Sequence, residues 1–188
     1  MAKMMLIVWR RSLMLLVFGL MMASPASAQE AGDDAAIRNL MSRYVWALDG
    51  KDAESYALVF APDGVLVHGG GEERGRDMMR QVVQGLLERE RATRAADTNG
   101  LRPARPRHFM TNLVIEIDGD RARVKDYWFH LYNNNAERSP YVTSYGHAEN
   151  ELVKLDGEWF IAHRRIYNEQ SEDRWARDDN PSFQVPRD

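Results

Sequence analysis

The chain of 188 residues contains no cysteine. That excludes disulfides, zinc–thiolate sites, iron–sulfur clusters and thiol nucleophiles. It has no excess of basic residues: 25 Lys and Arg stand against 28 Asp and Glu, a net charge of −3, which argues against a dedicated nucleic-acid binder. No Gly-x-Gly-x-x-Gly follows a strand pattern, and Gly69-Gly70-Gly71 is not followed by Gly-Lys-Ser/Thr, so dinucleotide and P-loop readings fail. None of the five histidines stands in a His-x-His or His-Glu-x-x-His spacing, so no metal motif is present and no cofactor is implied. No charge block forms an acidic or basic tail. What remains is a chain long enough for one compact domain, with a 44% hydrophobic content too high for a disordered one.

The first 28 residues read as a targeting segment. Lys3, Arg10 and Arg11 supply positive charge, Leu13 to Ala23 is apolar, and Ser24-Pro25-Ala26-Ser27-Ala28 offers an Ala-x-Ala cleavage site. The eleven-residue apolar run falls well short of the roughly 20 residues needed to span a bilayer. Arg10-Arg11 resembles a twin-arginine signal, but the apolar Met4-to-Val8 run before it favours the general secretory route. The expected mature protein is periplasmic or secreted, with no membrane contact after cleavage. Losing three basic residues and no acidic ones leaves 22 against 28, a net charge of −6.

Helical spacing comes first in the mature chain. Ile37, Leu40, Met41, Tyr44 and Leu48 mark a helix capped by Asp33 or Asp34 and ended by Gly50. A short helix follows from Asp52, then a turn at Asp63-Gly64 and a strand over Val65–His68. A third helix runs from about Asp77 to Glu90, and residues 92–106 read as a loop. Four long strands then follow, from Arg107 to Ile117, Ala122 to Tyr132, Tyr141 to Lys154 and Glu158 to Asn168, with Asp118-Gly119 and Asp156-Gly157 as hairpin turns. Residues 171–188 form a polar tail. Helices followed by a meander predict an α+β fold, a strongly curved antiparallel sheet closed by helices into a cone with an apolar pocket.

Two residues carry the candidate chemistry. Asp49 falls in the last turn of the first helix, the wrong end of the helix dipole for a carboxylate. It reads as a plain Asp-Gly turn former, as a carboxylate made more basic by its setting, or as one paired with a cation. His108 begins the first long strand, where it reads as a surface residue or as a cavity one. Strict alternation sets Phe109, Thr111, Leu113, Ile115 and Ile117 on the core face and His108, Met110, Asn112 and Val114 on the other. An Asp beside a His fixes the imidazole tautomer and leaves the other ring nitrogen able to remove a proton near neutral pH. Without a Ser or Cys nucleophile, such a dyad suits proton abstraction and elimination. Tyr127, Trp128, Phe129, Tyr132, Tyr141 and Tyr145 make an aromatic-rich sheet, read as core, as a homodimer or homotrimer interface, or as a platform for a ring ligand. Arg164 and Arg165 point to opposite faces, one solvated and the other reaching the cavity to bind an anion or a leaving group.

The stretches Tyr44-Val45-Trp46-Ala47-Leu48-Asp49-Gly50-Lys51-Asp52, Phe60-Ala61-Pro62-Asp63-Gly64, Arg107-His108-Phe109-Met110-Thr111-Asn112-Leu113 and Asp156-Gly157-Glu158-Trp159-Phe160 resemble the SnoaL-like branch of the nuclear-transport-factor-two-like superfamily. The resemblance covers residues 35 to about 168. It is greatest to a group including scytalone dehydratase, bile-acid 7α-dehydratase and hexachlorocyclohexane dehydrochlorinase. It implies Asp49 and His108 as the catalytic pair and Tyr44 and Arg164 as substrate contacts. Trp128 and Asn150 complete the expected substrate-binding set. The second catalytic His of scytalone dehydratase has no clear counterpart; His130 and His147 are loose candidates. The implied function is a cofactor-independent lyase acting on a small hydrophobic, aromatic or alicyclic compound by loss of water, halide or formaldehyde. The alternative is a non-catalytic periplasmic binding module for an apolar small molecule. An assembly subunit, as in ring-hydroxylating dioxygenases, fits poorly with a secretory signal because such oxygenases need cytoplasmic reductants.

Overall fold

A computed structural model describes residues 25–69, 71–96 and 105–170. Most of the expected targeting segment and the whole of the expected tail at 171–188 lie outside the described residues.

Three helices pack on a six-stranded sheet. Helix α1 (Pro25–Gly50) buries Ile37, Leu40, Met41, Tyr44 and Leu48, the stripe its spacing predicts. Asp33 and Asp34 do not cap it; both lie inside the helix. The Asp33 carboxylate accepts from Lys154 Nζ at 2.7 Å and Trp159 Nε1 at 2.9 Å, so partners across the fold claim it. Those contacts hold its pKa below the usual carboxylate range. After Gly50 the chain turns through Lys51, whose φ of +57° ends the helix. Asp52 then caps α2 (Ala53–Leu58) by accepting from the Ser55 amide at 3.0 Å.

Strand β1 (Phe60–His68) starts five residues earlier than its sequence pattern suggests. Pro62-Asp63-Gly64 is an irregularity within it rather than a turn before it. Gly71–Arg74 forms a short strand, β2, hairpinned onto β1, where the glycine run reads only as a break. Helix α3 (Gly75–Ala96) continues past Glu90, so residues 92–96 are helical and not loop. Strands β3 (Arg107–Asp118), β4 (Arg121–Tyr132), β5 (Tyr141–Leu155) and β6 (Glu158–Asn168) match the predicted meander. The sheet order is β2-β1-β6-β5-β4-β3, antiparallel except where β1 runs parallel to β6.

One feature of β3 decides what faces inward. The register with β4 shifts between Thr111 and Val114, where Asn112 and Leu113 together stand opposite Asp126. Asn112 adopts φ +55°, a conformation that Asn tolerates better than most residues. The bulge changes which parity points in: His108 and Met110 face the helices before it, and Leu113, Ile115 and Ile117 after it. Strict alternation therefore fails here, and Phe109 and Thr111 lie on the exposed face.

Candidate functional site

The turn that ends α1 sets Asp49 against the first residues of β3. Asp49 Oδ1 lies 2.7 Å from His108 Nδ1, and the His108 amide donates to the same carboxylate at 3.0 and 3.3 Å. Burial alone would raise the Asp49 pKa. The hydrogen bonds from the His108 ring and backbone, with the charges of His108 and Arg107, outweigh burial and hold it below the usual range. An ionised carboxylate only accepts, so Nδ1 carries a ring hydrogen in either charge state, and in the neutral imidazole Nε2 presents a lone pair. The Asp49 side chain is 8% exposed and that of His108 29%, so the imidazole is reachable from the cavity and its partner is not.

A second ring lies against the first. His130 on β4 pairs with His108 across the strands, the two imidazoles stacked 4.2 Å apart and 7° from parallel. Thr143 Oγ1 donates to the His130 carbonyl at 3.0 Å and sits 3.0 Å from its Nδ1, so that nitrogen is the donor to the hydroxyl. Its Nε2 is buried with no partner among the described residues. Burial, then the neighbouring charge of His108, lowers the His130 pKa to about 4, so the ring stays neutral beside the dyad at neutral pH.

Asp49 and His108 line a cavity of about 630 Å³ between α1, the C-terminal half of α3 and the start of β3. Its apolar wall includes Met41, Val45, Leu87, Met110 and Leu113, and its rim carries Arg38, Lys51, Arg91, Arg94, Arg105 and Arg107 with Glu90. That volume suits an organic molecule of metabolite size. Among the described residues, no three His, Asp or Glu side chains are grouped to hold a metal ion, and no helix is long and apolar enough to cross a membrane.

Tyr44, Trp128, Asn150 and Arg164 do not line this cavity. Three of them form a buried polar layer in the sheet-facing interior. Arg164, 1% exposed, donates from Nη1 to Asp126 Oδ2 at 3.1 Å and to Asn150 Oδ1 at 2.5 Å. Asn150 Nδ2 donates to Asp126 Oδ2 at 2.9 Å and to the Val124 carbonyl at 2.8 Å. The guanidinium also covers the Tyr44 ring at 4.6 Å. An unpaired guanidinium would be very costly here, and Asp126 supplies its counter-charge. Burial works against the charge on Arg164, but Asp126 and the nearby tyrosines hold its pKa above the ordinary value. The prediction that one of Arg164 and Arg165 reaches the cavity is thus corrected: the inward one is consumed by an internal ion pair.

Trp128 is held by the sheet itself. Its indole N–H is shared between the carbonyls of His147 at 3.1 Å and Tyr167 at 3.2 Å. Sequence reasoning left His130 as a loose candidate and missed Asp126. Asp126 faces inward by the alternation of β4, which also buries Ala122 and Val124; the β3 bulge sets His108 opposite His130, and its only local signal is an Asn in mid-strand.

Residues 29–165 match the SnoaL-like domain. No curated protein matches the chain significantly. Among solved structures, a protein of unknown function from Mycobacterium tuberculosis is 27% identical, with 77% of this chain and 76% of that one covered and a TM-score of 0.63. A nuclear-transport-factor-two-like protein with a cystatin-like fold from Novosphingobium aromaticivorans is 19% identical over 80% of this chain and 92% of that one, TM-score 0.64. A provisionally assigned scytalone dehydratase from the same organism is 21% identical over 76% and 87%, TM-score 0.59. These last two likenesses bear on fold.

Proposed function

The chain belongs to the SnoaL-like family, and from that premise we propose that it is a cofactor-independent lyase acting on a small apolar ring compound. The observation that carries the reading is the 2.7 Å contact between His108 Nδ1 and Asp49 in the wall of a cavity with one apolar side and a cationic rim. Family membership and a fold neighbour described as a provisional scytalone dehydratase support dehydratase- or isomerase-type chemistry.

In this mechanism His108 Nε2 takes a proton from the carbon next to the one bearing the leaving group. The C–H bonding pair becomes the new double bond, and the leaving group departs with its own bonding pair. Asp49 stabilises the imidazolium while it exists, and the imidazolium returns its proton to the departing hydroxide or to solvent. The neutral His130 ring supports His108 from one side, and the apolar wall of Met41, Val45 and Leu113 keeps competing water away.

The test is a screen of cyclic alcohols and halides for loss of water or halide, followed by mass spectrometry. Activity that falls by about 10²–10⁴ in His108→Ala and in Asp49→Asn supports the lyase. Full turnover in both variants contradicts it. The absence of Tyr44 and Arg164 from the cavity wall favours the second reading, a non-catalytic binding module. Tight binding of a compound recovered unchanged, indifferent to loss of the dyad, decides for that module.

The protein acts outside the cytoplasm on this reading, after cleavage at Ala28. Expression of the full chain in a Gram-negative host and N-terminal sequencing of the exported form should give Gln29 as the first residue. An uncleaved Met1 retained in the cytoplasm would contradict the export assignment.

A further inference from the structure

The charge of the cavity rim is opposite in sign to the charge of the chain. The full sequence carries a net −3. The cavity lining holds six Lys and Arg side chains against two carboxylates, a formal +4 before His108 is counted.

Local pairing accounts for part of that excess. Arg38 is paired with Asp34 at 2.6 Å and Arg94 with Glu90 at 2.6 Å, while Lys51 donates from Nζ to the Leu48 carbonyl at 3.2 Å and keeps its charge. Three guanidinium groups are left. Arg107 donates to the Pro106 carbonyl at 2.8 Å and shares its charge with nearby Asp49, while Arg91 and Arg105 have no side-chain partner among the described residues. All three are exposed, so water solvates them without cost in the free protein. Their placement around the mouth of one apolar cavity is what calls for an explanation. Solvated arginines scattered over a mildly acidic protein would not be expected to gather there.

We infer that the ligand of this cavity is an amphipathic organic anion, an apolar body carrying a carboxylate, sulfonate or phosphate group held at the rim by Arg91, Arg105 and Arg107. The apolar body lies against Met41, Val45 and Leu113, and the anionic group stays at the partly solvated mouth, where it keeps most of its hydration. Guanidinium groups present planar forks of donors that match oxyanions. A cationic mouth also draws anions from solution and raises the rate of encounter. The inference takes from the proposed function only that this cavity is the ligand site. It narrows the substrate from any apolar ring compound to one that carries a negative charge.

The test uses two fluorescent dyes that differ by one group, 8-anilinonaphthalene-1-sulfonate and its uncharged parent N-phenyl-1-naphthylamine. Dissociation constants are measured for both at low ionic strength and in 0.5 M NaCl. The expected result is at least about tenfold tighter binding of the sulfonate at low salt, weakened by salt. The triple substitution Arg91→Gln, Arg105→Gln, Arg107→Gln should bring the two dyes within about threefold of each other. His108→Ala should keep the preference, because the rim and not the dyad reads the charge. A chain without lyase activity that still prefers the sulfonate supports the inference while removing the lyase. Equal affinity for the two dyes, a preference that survives the triple substitution, or no binding of either dye overturns it.

Discussion

Asp49 stands where the helix dipole disfavours negative charge, and it stays charged because one residue, His108, meets it with both its ring and its amide. Local propensity alone accounts for a turn-forming Asp before Gly50; it does not account for a carboxylate that is 8% exposed and engaged on both oxygens. Asp49→Asn should lower turnover more than it lowers stability, because an amide still fits the space but no longer stabilises the imidazolium. Parallel urea titrations and rate measurements separate the two effects.

His130 makes a prediction of a different kind. In the unfolded chain its ring takes a proton near 6.5, and in the folded protein only near 4. Between those values the unfolded state binds more protons, so this group's contribution to stability is complete above about 6.5 and is lost as pH falls toward 4. The loss should be about 1–2 kcal/mol once solvent screening of a half-buried ring is allowed for. His130→Phe keeps the stack and removes the titration, so its stability should change less over that range. An unaltered pH dependence in His130→Phe, read by denaturant midpoints from pH 4 to 7.5, would contradict the assignment.

At the scale of elements, the β3 bulge governs the site. From the Asp118-Gly119 turn, unbroken pairing would carry Leu131 opposite His108; the extra residue at Asn112 puts His130 there instead. Motif and turn residues therefore make Asp49, His108 and the β3–β6 meander legible, but not β2 or the parallel pairing of β1 with β6. The His108–His130 stack and the inward set of β3 are not legible, because a bulge shifts parity without changing hydrophobicity. Asn112→Gly should be well tolerated, since Gly accepts positive φ. Asn112→Val should cost about 1–2 kcal/mol and reduce activity through the displaced His108, as measured by denaturation and rate together.

Gly146 is fixed by a different constraint, the close approach of β6. A Cβ there would lie 1.9 Å from the Tyr167 carbonyl, the same oxygen that accepts from the Trp128 indole. Gly146→Ala should therefore loosen β5 from β6 and lower the unfolding midpoint; a variant as stable as the parent would contradict the packing described.

For the molecule as a whole, the Arg164–Asp126–Asn150 layer and the outer sheet face matter most. Arg164→Ala leaves Asp126 buried without its counter-charge and should cost about 3–5 kcal/mol. Arg164→Met, with similar volume, in an Asp126→Leu background should recover much of that loss. The outer face exposes Phe109, Val114, Tyr127, Val142 and Tyr145, a patch of large apolar side chains that water covers poorly. A second or third copy of the chain is the occupant we assign to it. Sedimentation velocity should show a dimer or trimer that Tyr127→Lys with Tyr145→Lys converts to monomer. A parent chain that is already monomeric would contradict that assignment.

In the proposed mechanism Asp49 fixes His108 as the Nδ1–H tautomer, leaving Nε2 as the base. Nitrogen-15 NMR of histidine-labelled protein at neutral pH reads this without a substrate, with His108 and His130 assigned through His108→Gln and His130→Phe. The expected spectrum shows a protonated Nδ1 and an unprotonated Nε2 on His108, with that tautomer preference lost in Asp49→Ala. A His108 resonance pattern with the hydrogen on Nε2, or one unchanged when Asp49 is removed, would contradict it.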